Sequence, residues 1–141
     1  MRWPISISAT IFACSLMVPL GTPATKRSVI DIRQATIVAF FSPVTQAELN
    51  DGETNEALAD FQYYVGRVRA PLRNAGIELH AVYARSFQIR IGKKVTTFQP
   101  VKAVGYYLAA PGKKPRVEYG VLTDSDLLNI ANDYFGHTQN K

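Results

Sequence analysis

The segment that most constrains the fold is residues 35–41, Ala-Thr-Ile-Val-Ala-Phe-Phe, which is apolar and β-branched without polar residues at alternate positions. Side chains on a strand alternate between two faces, so such a run needs cover on both. It predicts a central strand in a layered α/β domain. Ser42 and Pro43 end the run, and Val44 to Leu49 begin a helical stretch that Asn50, Asp51 and Gly52 interrupt. A longer helical pattern runs from about Glu53 to Ala75, with Leu58, Phe61, Val65, Val68 and Leu72 on one face. Pro71 predicts a kink or restart near its end, and Gly76 is placed to cap it.

Residues 77–84 alternate Ile77, Leu79, Ala81 and Tyr83 with Glu78, His80 and Val82, which predicts a second strand, parallel to the first and completing a βαβ unit. Residues 86–100 carry Phe87, Ile89 and Ile91 before Gly92, and β-prone Val95 to Phe98 after it, the pattern of a hairpin or an extended excursion. Val104 to Ala110, a turn at Pro111 to Lys114, and a strand from Arg116 to Leu122 read as a β-hairpin. Thr123 then caps a final helix that Gly136 ends. Residues 25–34, with Val29, Ile30 and Ile32 among charges, read as an edge strand or an arm. In sum, a βαβ unit is followed by a β-hairpin and a C-terminal helix around a central mixed sheet.

The first two dozen residues have a different character. Arg2, an apolar stretch from Ile5 to Leu20 and the small residues Gly21 to Ala24 form the pattern of a secretory signal peptide, which puts residues 1–24 in the signal and residues 25–141 in the domain. The stretch holds Ser6, Ser8, Thr10, Ser15 and Pro19 and is short for a ~30 Å hydrocarbon core, so no stable membrane span is expected after cleavage. A lipoprotein reading would use Cys14, and Phe12 just before it fits that reading poorly. Cleavage removes the only cysteine, Cys14, and one of the 16 basic residues, Arg2, but none of the 11 acidic ones, so the formal charge falls from +5 to +4. A periplasmic or secreted location permits disulfides, yet the mature chain has none to form and its core must suffice.

Directly after the first central strand stands Ser42-Pro43-Val44-Thr45-Gln46-Ala47-Glu48-Leu49. This octapeptide resembles the Cys-Pro-Pro-Cys-Arg-Ala-Glu-Leu of exported, TlpA-like members of the thioredoxin-like superfamily. It retains the first proline, Ala47, Glu48 and Leu49, and has Ser42 and Thr45 where the family has its cysteines. The resemblance implies a thioredoxin-like fold over most of residues 35–136. Chemistry in that family needs a thiolate held at a helix N-terminus, which a serine hydroxyl cannot replace. The chain is therefore not expected to be a thiol–disulfide oxidoreductase. The family also places a cis-proline before its third strand, a position that falls near Val104 here, with Pro100 the nearest proline.

Neither His80 nor His137 stands where it could serve Ser42 as a base, and the ordinary role for Ser42 or Thr45 is a helix cap. From Arg85 to Arg116 the chain carries Arg85, Arg90, Lys93, Lys94, Lys102, Lys113, Lys114 and Arg116 with no acidic residue between them. Such a face attracts an acidic partner protein, anionic lipid headgroups or cell-wall polymer, or else is a solvated hairpin surface on which lysine blocks edge pairing. Tyr63-Tyr64 and Tyr106-Tyr107 are adjacent pairs, each expected to send one ring to the core and one outward. No metal-ligand spacing, phosphate loop or dinucleotide motif occurs, and no cofactor is implied.

Two functions follow from different classes. The first is a non-catalytic, exported binding module that holds another exported or envelope protein, acidic where it meets the lysines, through Ser42, Pro43 and Thr45, through Lys93, Lys94, Lys113, Lys114 and Arg116, or through both. Nucleic acid is not an expected partner after export. The second is a cysteine-independent enzyme or small-anion-binding protein that uses the helix N-terminus at Ser42 and Thr45.

Overall fold

Six of the seven residues in the run 35–41, Thr36–Phe41, do form a strand covered on both faces. The computed structural model describes residues 28–136; the signal peptide expected over residues 1–24, Cys14 and His137 lie outside them. In chain order the elements are β1 (Val29–Asp31), β2 (Thr36–Phe41), α1 (Gln46–Leu49), α2 (Gly52–Asn74), β3 (Glu78–Val82), β4 (Phe87–Ile91), β5 (Lys94–Phe98), β6 (Val104–Ala110), β7 (Lys113–Tyr119) and α3 (Asp124–Phe135). Four strands form a mixed sheet in the order β3-β2-β6-β7, in which β2 is parallel to β3 and antiparallel to β6. A second mixed sheet has the order β1-β4-β5.

All six residues of β2 are buried, and the five apolar ones divide between two cores. Ile37, Ala39 and Phe41 face α2 and α3, where Phe61, Val65, Val68, Leu72, Leu127 and Ala131 meet them. Val38 and Phe40 face the second sheet, where Phe40 packs against Phe87 and Phe98 at centroid distances of 5.7 and 5.6 Å. The molecule thus has three layers: helices, four strands, three strands. Residues 86–100 are a hairpin because Phe87, Ile89 and Phe98 have an apolar sheet to lie on.

That second sheet overturns the expectation for one tyrosine pair. Tyr106 and Tyr107 point to opposite faces of β6, yet both are buried, Tyr106 under the helices and Tyr107 under the second sheet. Desolvation raises the pKa of both phenols, and Leu122 N–H donates to the Tyr106 oxygen at 3.3 Å. Tyr63 is exposed and Tyr64 half-buried, as one ring in and one ring out would require.

Pro71 neither restarts nor ends its helix, for α2 runs on to Asn74. Only Asn74 and two residues before it follow Pro71, so a single main-chain bond is forfeited in the last turn. The helix closes with Ile77 N–H donating to Leu72 C=O and Gly76 N–H to Arg73 C=O, the two bonds of a Schellman motif. The expected turn at Pro111 to Lys114 is shorter than its sequence suggested: Lys113 and Lys114 already belong to β7, which ends before Gly120. Pro115 is tolerated because β7 is an edge strand. Glycine is required at position 105, where a Cβ would lie 2.5 Å from Glu118 O and 2.7 Å from the Phe40 ring.

Candidate functional site

The register of β2 with β6 defines two ends of the main sheet. Phe41 pairs with Val104 at one end and Thr36 with Ala109 at the other. Ser42, α1 and residues 99–103 lie at the first end; the Pro111-Gly112 turn and the C-terminal ends of α2 and α3 lie at the second. Ser42 N–H donates to Ala103 C=O at 2.7 Å, and the Ser42 Oγ is buried without a hydrogen-bond partner among the described residues. Thr45, not Ser42, caps α1: its Oγ1 accepts Glu48 N–H at 3.2 Å. The Glu48 carboxylate turns back to accept Val44 N–H at 3.0 Å and also holds the Arg85 guanidinium. That guanidinium is the main reason why the Glu48 pKa lies below its ordinary value.

These contacts leave little for an external anion. Helix α1 is only four residues long, its Glu48 N–H is met by the Thr45 hydroxyl, and the Val44 N–H ahead of it is met by the Glu48 carboxylate. A cleft of about 590 Å³ does open beside it, lined by Ser42, Pro43, Glu48, Arg85, Pro100 and Val101. Its Glu48–Arg85 pair is internally satisfied while Lys102, also in its lining, has no ion pair among the described residues, and His80, which would be the nearest base by sequence, is on β3 against Glu78 at 2.9 Å. Thr45 does not line the cleft. All peptide bonds among the described residues are trans, Pro100 included.

Apolar groups are what this end offers outward. Val44 is 41% exposed, Tyr83 47% and Val101 81%. Val44, Pro43, Leu49, Leu58 and Tyr83 line a second depression of about 370 Å³. Tyr83 stands edge-on to Phe61 at 6.0 Å, which fixes the ring while leaving one side open. Val101 is held out by its own backbone, whose N–H donates to the Tyr119 hydroxyl at 3.3 Å.

Lys102 lines the cleft beside Ser42, but Lys93, Lys94, Lys113 and Lys114 do not. Lys113 and Lys114 enter β7 at the opposite end, beside a depression of about 710 Å³ that Pro71, Ile77, Pro111, Leu128 and Phe135 help to line. Lys113 Nζ donates to Tyr134 C=O and lies 4.3 Å from the centroid of the Tyr134 ring, so it neutralises the C-terminal end of α3. Arg116 bonds Glu118 and Asp133, each at 2.7 Å, and both carboxylates keep its pKa raised. Arg85 is committed to Glu48 and Arg90 to Asp31. The stretch from Arg85 to Arg116 is thus no continuous free basic face. Lys93, Lys94, Lys102 and Lys114 are the cations of this stretch whose side chains enter neither an ion pair nor, as Lys113 does, a carbonyl and ring contact among the described residues.

No family model matches the chain, and neither a curated protein nor a solved structure matches it. Its site must therefore be read from its own geometry. Sequence reasoning missed Glu48 with Arg85, Tyr83 and Val101 as members of the Ser42 end. Glu48 and Arg85 are 37 positions apart, and no local pattern announces their pairing. The exposure of Val101 had a faint signal: an apolar residue between Pro100 and Lys102, outside every periodic segment. Among the described residues no group of three or more metal-ligating side chains assembles, and no helix is long and apolar enough to cross a membrane.

Proposed function

We propose that this protein is an exported, redox-inactive thioredoxin-like module that binds another exported or envelope protein at the Ser42 end of its main sheet. The observation that carries this reading is the character of that end: Val44, Tyr83 and Val101 are offered to solvent, Glu48 and Arg85 satisfy one another, and Lys102 is left as the cation of the cleft without an ion pair among the described residues. A surface with apolar anchors and few unsatisfied charges suits protein recognition better than it suits chemistry. The thioredoxin-like part of the reading draws on the strand order β3-β2-β6-β7, on a helix after β2, and on Ser42 and Thr45 standing at the two positions where the family has cysteine.

The test is affinity purification of the C-terminally tagged full chain from the envelope of its own host, beside Tyr83→Asp and Val101→Asp variants of equal thermal stability. One protein recovered in near-equal amount with the wild type and lost with either variant supports the module. If nothing is enriched over an untagged control, the reading fails. The fold part has a separate test, the Ser42→Cys/Thr45→Cys double variant, which should form an intramolecular disulfide and gain thiol–disulfide exchange if the end of β2 is built as in that family.

A further inference from the structure

We propose that the outer edge of β5 receives an extended acidic segment of the partner as an added strand, with Lys93 and Lys94 selecting its charge. This rests on the binding-module reading and names the chemistry of the partner. Strand β5 pairs with β4 on one side and, among the described residues, with nothing on the other. The pair Ile91–Lys94 closes a two-residue turn, Gly92-Lys93, with Gly92 at φ +63° as a type II′ turn requires. A closing pair exchanges both its hydrogen bonds, and the antiparallel alternation puts Thr96 and Phe98 in the same class. Val95 and Thr97 consequently direct their N–H and C=O groups away from β4. Residues Lys94 to Thr97 are all exposed, Val95 by 43%. Val-Thr-Thr-Phe favours extended backbone, so the edge is pre-shaped for strand addition.

Charge identifies the occupant. Lysine on an edge usually discourages pairing, but the discouragement is selective. A second copy brings the same two cations and a formal net charge of +4 once residues 1–24 are removed, and a neutral strand leaves both lysines unmatched. An acidic strand neutralises them. The chain cannot supply that strand from residues outside the structure, because residues 1–27 and 137–141 contain no Asp or Glu. Residues 99–103 continue from β5 to the cleft and carry Val101 into it. A segment docked along the ~17 Å of β5 would therefore meet the lysines at one end and the apolar Ser42 end at the other.

The probe is a fluorescein-labelled synthetic peptide, Asp-Glu-Val-Thr-Val-Thr, compared with Lys-Lys-Val-Thr-Val-Thr, titrated into the full chain by anisotropy and followed by residue-resolved amide exchange. The acidic peptide should bind, the basic one should not, and the Val95 and Thr97 amides should gain protection at saturation. Thr97→Pro removes one outward N–H at an edge position where proline is compatible with the strand, and should weaken binding about fivefold to tenfold. Lys93→Glu/Lys94→Glu should reverse the preference between the peptides. No binding of the acidic peptide, or binding that leaves both amides unprotected, would overturn strand addition. Because the amide measurement uses wild-type protein, a Thr97→Pro variant that misfolds does not blunt the test. A partner that is lost from Val101→Asp but still captured by Lys93→Glu/Lys94→Glu and by a folded Thr97→Pro variant would leave the module standing and sink only this inference.

Discussion

The chain contains the tripeptide Gly-Lys-Lys twice, at residues 92–94 and 112–114, each time at the tip of a hairpin, and the two copies have opposite fates. In β6–β7, Lys113 is drawn onto the end of α3, the Tyr134 hydroxyl donates to Lys114 C=O at 2.6 Å, and Arg116 two residues on joins Asp133 of the same helix. In β4–β5, neither Lys93 nor Lys94 finds a counter-charge among the described residues. Identical local sequence therefore yields a structural clamp in one place and free charge in the other. What differs is the neighbour: β7 faces a helix whose carbonyls and carboxylate need cations, whereas β5 has, among the described residues, no strand beyond it.

The contrast can be broken most forcefully inside the clamped hairpin. Gly105→Val drives a side chain into Glu118 O and the Phe40 ring, and should cost about 3 kcal/mol or more in urea unfolding. The turns come next. Lys113→Glu replaces a cation at a helix C-terminus with an anion and should cost about 1 kcal/mol, while Lys93→Glu should stay within about 0.5 kcal/mol. Equal costs for the two substitutions would show that the hairpins are not distinct in the way described. Tyr134→Phe deletes one hydrogen bond to Lys114 and should cost about 1 kcal/mol or somewhat less, with no effect on the acidic-peptide titration.

The smallest effect is that of acid. Arg85 holds the Glu48 pKa below its ordinary 4.5, the Thr54 N–H holds Asp51 below 3.8, and Arg67 holds Asp124 below 3.8. A carboxylate depressed in the folded state contributes stability that is complete above its unfolded pKa and is lost as the pH falls through the folded one. All three groups are at the Ser42 end, on α1 or at the starts of α2 and α3. The thermal midpoint should be level near neutrality and decline below about pH 4.5. Amide exchange should rise at these helix starts before it rises at the β4–β5 turn, and the reverse order would contradict the assignment of the ionic contacts.

Much of the fold was legible because it is written locally. The unalternating run around Val38, the three-and-four spacing from Phe61 to Leu72, the Thr123 cap and the Gly76 terminus depend on residues within a turn or two of one another. The candidate site was legible only in part. Thr45 could be expected to cap, but nothing near it in sequence showed that Glu48 would reach Arg85, or that Val101 would stand out beside Ser42. Tyr107 was misjudged for the same reason, since its cover comes from Phe87 and Phe98, on strands that local pattern could not assign to a layer.

By itself, then, the sequence determined β2, β3, the β6–β7 hairpin and the two long helices, their order and the want of any cysteine beyond Cys14, but left residues 25–34 and 86–100 open. Only the tertiary structure decided which of eight cations stay free and where the two functional candidates lie. Periodicity and caps are short-range properties of the backbone, whereas charge pairing and exposure are set by partners 17 to 59 positions away, as for Arg116 with Asp133 and Arg90 with Asp31, and exist only once the layers have packed.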